Sequence, residues 1–343
     1  MGRRRGVRVA ALGAACVALA ACSTTSTTDG SGTPTASPSA SGFTNPVYQG
    51  NVPDPQIVAD GTRGYLAIAT NGNGMNVQTL TSPDMVHWQQ GSDALPRVAS
   101  WSSAGKVWAP EIIAWPDGTY RLYYTTKAPQ DQWQCLSVAS SRTLAGPYVD
   151  SSTKPIVCEV AEGGSIDPSP FIDTAGRAWL YWKNDGNAIG LDTHLKVARL
   201  STDGRSTTGA VTTLFKQTLP WEGHLVEAPS VVEIGGRFHL FYSANDYGSD
   251  RYAVGHAVGA TPTGPFRKDP QPVLSTNAVA AGPGHDQLIK VGAQWWMVYH
   301  AWSPDAVGDE SVGRSMWLSR VTFHDDRVDV SPPTSHVPQL PRP

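Results

Sequence analysis

The feature that most constrains this chain is a repeat. Five segments of the 343-residue sequence share one layout: a polar residue or two, usually with Pro, then an apolar stretch, a turn, and a second stretch rich in aromatic residues. They are DPQIVADGTRGYLAIAT from Asp54, APEIIAWPDGTYRLYYTTK from Ala109, DPSPFIDTAGRAWLYWKND from Asp167, APSVVEIGGRFHLFYSAND from Ala228 and HDQLIKVGAQWWMVYHAW from His285. The starts are roughly 55 to 60 residues apart, which is long for a solenoid coil and right for a four-stranded propeller blade.

Each unit predicts a hairpin. PDGT, TAGR and IGGR separate the first and second stretches, and Gly reaches positive φ there at little steric cost. Third strands are expected at MNVQTLTSPD, CLSVASSR, LKVARLST and YAVGHAVGATP, with outer fourth strands at HWQQ, GPYVD and GPFRKD. Amphipathic helical periodicity is scarce from residue 43 onward. The pattern therefore predicts an all-β chain with a single five-bladed β-propeller over residues 43–343. Two β-sandwich domains are the competing architecture, disfavoured because the repeat crosses the middle of the chain without a linker.

Residues 1–22, MGRRRGVRVAALGAACVALAAC, carry an Arg-rich start, a short apolar run and small residues, as an export signal does. The ending LAAC resembles a bacterial lipobox, which makes Cys22 the expected lipidation site; an ordinary cleavage nearby is the other reading. Residues 23–42 are Ser-, Thr-, Gly- and Pro-rich and have too few apolar side chains to offset their ordering entropy, so a flexible linker is expected. The protein is then exported, either secreted or held at the outer face of the membrane solely by a lipid anchor. Of the four cysteines, Cys16 lies in the signal, which leaves Cys135 and Cys158 either to pair or to stay as buried free thiols. A bond between them would close a loop of about 20 residues, worth on the order of 3 kcal/mol on a chain-entropy account.

A formal net charge of −3 with no long basic block lacks the footprint of a nucleic-acid binder. The 12 Trp residues point elsewhere, since flat indole faces suit sugar rings as well as cores. In a propeller the first strands of all blades run beside one axis, so their starts converge. Asp54 opens the first unit, Asp167 the third, and Glu227 stands immediately before APS of the fourth. Pro at a first strand position loses no ladder donor, which accounts for any single Asp-Pro. It does not account for three acids facing one another, because like charges in low dielectric repel strongly unless one is protonated. Carboxylates in contrasting environments around a glycosidic bond are the chemistry that such a set suits.

NVPDPQIV, VWAPEI, GSIDPSPFID, VEAPSVV and GPGHDQL fall in the order and spacing of glycoside hydrolase family 43, and the chain resembles that family over residues 43–330. The family comprises five-bladed propeller arabinanases, arabinofuranosidases and β-xylosidases. The resemblance implies that Asp54 is the general base, Glu227 the general acid, and Asp167 the residue that raises the acid's pKa and orients it. It also implies inversion, with the base and acid roughly 6.5 to 9.5 Å apart. Trp108 is expected as an apolar wall for the sugar, or as blade packing. Arg314 matches an Arg that binds sugar hydroxyls, with a surface ion pair as its other reading. His285 matches the position of a central calcium or water cluster, although one His is a thin ligand set for an ion that prefers oxygens. No cofactor is required, and one structural calcium is the most the resemblance implies.

Asn184, Asp185 and Tyr247 follow second strands, where loops line a pocket mouth, so they are candidates for substrate contact as well as for turn formation. Glu111 and Asp286 are expected near the axis, one layer behind. The implied substrate is an α-L-arabinofuranosyl linkage of plant cell-wall polysaccharide, with xylosyl linkages as the alternative. A sugar-binding propeller without turnover is the reading from another class; the complete set of Asp54, Asp167 and Glu227 argues against it. The sequence sets no oligomeric state.

Overall fold

The structure is a computed structural model describing residues 42–128, 133–339 and 341. The expectations for the signal, Cys16, the lipidation at Cys22 and the linker lie outside the described residues.

Five antiparallel sheets succeed one another along the chain. The first contains Gln56–Ala59, Tyr65–Ala69, Gln78–Ser82 and Gln89–Gln90; the second Trp108–Ala114, Tyr120–Lys127 and Gln134–Ser141. The third holds Ser165–Ile172, Ala178–Asn184, His194–Leu200 and Thr207–Lys216; the fourth Val226–Ile234, Arg237–Ala244, Ala253–Gly259 and Phe266–Lys268. The fifth has Ala281–Val291, Gln294–Trp302, Ser315–His324 and Arg327–Val330. Within each sheet the strands lie side by side in chain order. The first strand of each sheet touches that of the next, and the fifth returns to the first. The sheets are therefore blades around one axis, and the fold is the all-β five-bladed propeller.

The hairpins follow from local chemistry. Ile234 pairs with Arg237 across Gly235–Gly236, whose φ values of 57° and 76° are those a two-residue hairpin turn demands. Second strands read as unbroken aromatic runs because both faces of a blade are covered. Tyr181 packs between the third and fourth blades while its neighbour Trp182 packs between the second and third. Phe241 and Tyr242 divide in the same way across the fourth blade.

Two expectations need correction. GPYVD does not form a fourth strand of the second blade; only an isolated bridge joins Ser140 to Val149. Pro147 has no N–H for a ladder, and Asp150 turns inward to accept from Tyr124 Oη at 2.7 Å and Ser137 Oγ at 2.5 Å. Pro110, Pro168 and Pro229 also lie inside their first strands rather than at the starts, each beside a register shift. A bulge leaves one residue unpaired, which is the other place where a strand tolerates Pro.

Two contacts tie the chain together near the site. Phe43–Thr44 pairs with His336–Val337, and Val52 N–H donates to the Arg314 carbonyl at 3.0 Å, so the segment leading to Asp54 is held against the fifth blade. Cys135 and Cys158 are joined in a disulfide with Cα atoms 4.7 Å apart, linking the second blade to the segment that leads into the third.

Candidate active site

The five first strands share a backbone irregularity at matching positions. Asp54, Ala109, Asp167, Ala228 and His285 have φ values of 57°, 44°, 57°, 52° and 51°. Positive φ in a residue with a Cβ costs on the order of 1–3 kcal/mol and persists only where the surroundings enforce it. The enforcement here is a clamp from the preceding blade. Thr70 Oγ1 accepts the Ala109 N–H at 2.8 Å, Thr125 Oγ1 that of Asp167 at 3.1 Å, and Ser243 Oγ that of His285 at 2.7 Å. His300 Nδ1 accepts the Asp54 N–H at 3.1 Å and closes the ring.

Register identifies the fifth member. Thr125, Ser243 and His300 pair with Trp108, Glu227 and Gly284, each the residue just before a strained one. Lys183 pairs with Ile166 in the same way. An ammonium accepts no hydrogen bond. The Ala228 N–H is taken instead by Asp167 Oδ2 at 3.0 Å, and Lys183 Nζ turns to Glu227 Oε2 at 3.1 Å. Glu227 thus stands one residue earlier in its strand than Asp54 and Asp167 do in theirs.

These residues open into one cavity of ≈ 590 Å³, lined among others by Asp54, Trp108, Asp167, Lys183, Glu227 and Arg314. The three acids occupy contrasting surroundings. Around Asp54, burial works to raise the pKa, but His285 and then Arg314 lead the influences that outweigh it and hold the carboxyl well below the usual range. Its Oδ1 lies 3.3 Å from His285 Nδ1 and 3.2 Å from Arg314 Nη1, and its Oδ2 accepts from Thr70 Oγ1. His300, driven down to about 3 by burial, is neutral, and since its Nδ1 accepts a backbone N–H it clamps the strand rather than forming an ion pair. Asp167 is pushed up to about 7, chiefly by burial, with the Glu227 charge adding and His285 and Lys183 opposing. Glu227 is gripped by two donors, Tyr252 Oη at 2.7 Å on Oε1 and Lys183 on Oε2. Lys183 is fully buried; desolvation opposes its charge, but Glu227, Asp167 and Asp185 outweigh it and keep its pKa raised.

One layer along the axis lie Gln56, Glu111, Ser169, Ser230 and Gln287, each two residues after a strained position. Gln287 Nε2 donates to Glu111 Oε1, and Ser230 Oγ donates to Gln287 Oε1 at 3.2 Å. Burial drives Glu111 well above the usual range, against a bond from Ser169 and with help from Asp167 and Asp286. Burial also raises Asp286 to about 8. Asp286 keeps its proton at neutral pH and the shift of Glu111 acts in the same direction, which relieves the repulsion that so many acids would otherwise produce.

The structure gathers most of the sequence-predicted residues. Trp108 lines the cavity and is 37% exposed, so it presents a face to a ligand as well as packing. Arg314 is buried rather than part of a surface pair, its guanidinium 4.6 Å from the Tyr247 ring centre. Tyr247 and Asp185 line the cavity too. Asn184 does not. It is 1% exposed; its Nδ2 donates to the Asp192 carbonyl at 3.1 Å and its Oδ1 accepts the His194 N–H at 2.5 Å. Strand alternation turns Lys183 and Asp185 inward and Asn184 away, so its role is to fasten the loop. His285 lines the cavity with Nδ1 toward Asp54, and among the described residues no three His, Cys, Asp or Glu side chains are grouped to hold a metal ion. That donor set does not fit calcium, which takes about six to eight oxygens, and no step is routed through a metal.

Sequence reasoning missed Lys183, Tyr252 and His300. Lys183 left a signal: it is the one charged residue at a strand position that otherwise carries Thr70, Thr125, Ser243 and His300. Tyr252 left none, because it reaches Glu227 from a loop 25 residues away.

Acids in contrasting environments at the axial pocket of a five-bladed propeller, flanked by an aromatic wall and a buried Arg, define the class of propeller that cleaves glycosidic bonds. The family described as glycosyl hydrolases family 43 matches residues 43–328, and the chain belongs to that family. It is similar to a β-D-galactofuranosidase of Aspergillus niger, 28% identical over 75% of each chain. It is 26% identical to a β-xylosidase of Bacillus subtilis, covering 75% of this chain and 49% of the relative. An extracellular exo-α-(1→5)-L-arabinofuranosidase of Streptomyces avermitilis is 27% identical, over 77% of this chain and 57% of the relative. The chain thus spans only about half the length of the latter two. The crystal structure of a thermostable family-43 glycoside hydrolase superposes with a TM-score of 0.79 at 27% identity, over 88% of this chain and 99% of that one.

Proposed function

We propose that this protein hydrolyses α-L-arabinofuranosyl linkages of plant cell-wall polysaccharide by single-displacement acid and base catalysis with inversion. One observation carries the reading: within one pocket, Asp54 is held ionised by Arg314 and His285, while Asp167 beside Glu227 retains a proton to about pH 7. Asp54 takes a proton from water as that water attacks the anomeric carbon. Glu227, positioned by Tyr252 and Lys183, takes up the single proton retained on the Asp167 side of the pocket and passes it to the departing oxygen as the glycosidic bond breaks, which leaves both of these carboxyls ionised; Asp167 also orients Glu227. Arg314 and Trp108 grip the sugar at its hydroxyls and its apolar face.

Arabinose is preferred because both the Streptomyces relative and the Aspergillus relative are furanosidases by name. The same reading has the enzyme working outside the cytoplasm, tethered through Cys22; the Cys135–Cys158 disulfide supports an oxidising compartment.

The test is Glu227→Ala assayed on arabinan and on aryl arabinofuranosides with activated leaving groups. Loss of arabinan hydrolysis with retention of the activated substrates is expected; full activity on arabinan overturns the assignment. Aryl xylosides tested alongside decide between pentoses, and NMR of the first-formed anomer tests inversion.

A further inference from the structure

One loop reaches both sides of the pocket. Residues 245–252 connect the second and third strands of the fourth blade and carry Tyr247 and Tyr252. Tyr252 donates to Glu227, while the Tyr247 ring lies against Arg314, which pairs with Asp54. The loop thus touches the acid directly and the base through one intermediary.

The pairing of Arg314 with Asp54 does not fix the guanidinium by itself. Nη1 reaches Oδ1 alone, at 3.2 Å, where a bidentate pair would hold the plane of the fork as well. Nε is buried and has no hydrogen-bond partner among the described residues. The backbone is fastened, because the Arg314 N–H donates to Asn51 Oδ1 at 3.2 Å and its carbonyl accepts from Val52. The far end of the side chain is held by rings instead. Its guanidinium carbon lies 4.6 Å from the Tyr247 ring centre and 5.8 Å from that of the buried Trp302, both within reach of a cation–π contact.

Tyr247 is 45% exposed, and an exposed side chain changes rotamer readily unless its backbone is held. Contacts from three neighbours hold this loop. Trp302 Nε1 donates to the Tyr247 carbonyl at 2.7 Å, so the indole that faces the guanidinium also anchors the residue carrying the second ring. Asn245 Nδ2 donates to the Trp221 carbonyl at 3.2 Å, and Thr276 Oγ1 donates to the Asp250 carbonyl.

We propose that Tyr247 is a positioning residue for the base: with Trp302 it holds the Arg314 guanidinium on Asp54, so that the loop aligns the base side of the pocket through Tyr247 and the acid side through Tyr252. The proposal rests on the hydrolytic reading above. Arg314 needs this support because it serves both Asp54 and the sugar hydroxyls. A guanidinium free to follow the sugar would leave the carboxylate misaligned for the water it activates, and a displacement of about 1 Å at such a group costs up to about a hundredfold.

The experiment compares wild type with Tyr247→Leu, Tyr247→Phe and Tyr252→Phe. The substrates are an aryl arabinofuranoside with an activated leaving group and an arabino-oligosaccharide, whose departing oxygen needs a proton. Tyr247→Leu should lose kcat about tenfold on both, since the base is needed whatever the leaving group, and Tyr247→Phe, which keeps the ring, should recover most of that loss. Tyr252→Phe should lose kcat chiefly on the oligosaccharide. In an Arg314→Met background Tyr247→Leu should cost little more, because the partner through which it acts is gone. A raised KM with unchanged kcat for Tyr247→Leu would make the ring a wall for the sugar and overturn the proposal. So would an undiminished tenfold loss in the Arg314→Met background, or a Tyr247→Phe variant as impaired as Tyr247→Leu. If wild type turns over neither substrate, the hydrolytic reading fails and the proposal with it; an active wild type with any of those contrary outcomes overturns the proposal alone.

Discussion

Lys183 Nζ lies 3.1 Å from Glu227 Oε2, at the strand position where the other four blades carry Thr70, Thr125, Ser243 and His300. In those blades the side chain accepts the N–H of a strained residue; Lys183 cannot accept, so Asp167 takes over the clamp on Ala228. One substitution in a repeated position thus couples two of the three acids, with Asp167 bound to the backbone just after Glu227 and Lys183 bound to Glu227 itself.

Lys183→Met should therefore impair catalysis without emptying the pocket. The methionine fills much of the space but leaves Glu227 with Tyr252 as its remaining side-chain donor. A displaced acid of this kind is expected to lose kcat on the order of a hundredfold. The Lys183 charge lowers the Asp167 pKa, so its removal raises that pKa further and the basic limb of the pH profile should move to higher pH. Steady-state kinetics across pH check both effects; a lower rate with an unmoved limb would reduce Lys183 to packing.

How much of this was legible in the sequence depends on distance along the chain. The blades could be read because each hairpin is local, and the five converging strand starts because the repeat aligned them; the strain at those positions could not. The trio of Asp54, Asp167 and Glu227 followed from convergence at one axis. The grip on Glu227 was hidden, because it needs the pairing of Lys183 with Ile166 and a loop that brings Tyr252 across the fourth blade. Asn184 misled for a related reason. Its residue type suits a pocket-mouth loop, but it is the last residue of a strand, and alternation alone decides which of Lys183, Asn184 and Asp185 faces inward.

Glu111→Gln should stabilise the protein at alkaline pH. Burial raises the folded-state pKa of Glu111 well above the ordinary carboxylate value. Between the unfolded and folded pKa values the folded chain keeps a proton that the unfolded chain has lost, so stability falls as pH rises through that window. A neutral amide of the same shape removes the penalty. Melting temperatures at pH 5 and pH 8 are the check: the variant should lose less than wild type between the two, while activity stays within a few fold because the side chain lies behind the pocket. A parallel decline in both proteins would contradict the placement of the proton on Glu111.

Removing the disulfide should separate stability from catalysis. Cys135 and Cys158 are 23 residues apart, and cross-linking a loop of that size stabilises by roughly 3 kcal/mol on the chain-entropy account. The bond lies outside the cavity lining. A Cys135→Ala, Cys158→Ala double variant is expected to melt well below wild type in denaturant titration yet to match its kcat in the cold. A loss of kcat at a temperature where the variant is still folded would mean that the bond also aligns the strand carrying Asp167.

The pH profile of the native enzyme ties the acids together. Asp54 is held well below the usual carboxylate range, because influences led by His285 and Arg314 outweigh its burial. The base is then ionised throughout mildly acidic conditions, and the acid limb of kcat/KM should fall below the ordinary carboxylate range. On the other side, Asp167 is raised to about 7, chiefly by burial and then by Glu227, so the proton shared on the acid side is lost above about that pH. Asp167→Asn should lower the rate and shift the basic limb of kcat/KM, because the proton that Asp167 releases near pH 7 is then gone. Asp54→Ala should instead lower activity more than about a hundredfold at every pH, the scale of a positioned base, and move the basic limb of the residual activity far less than Asp167→Asn does, since the Asp54 charge is the smallest of the named influences on Asp167. Should Asp167→Asn keep the wild-type limb while Asp54→Ala moves it, the acid and base sides of the pocket have been assigned the wrong way round.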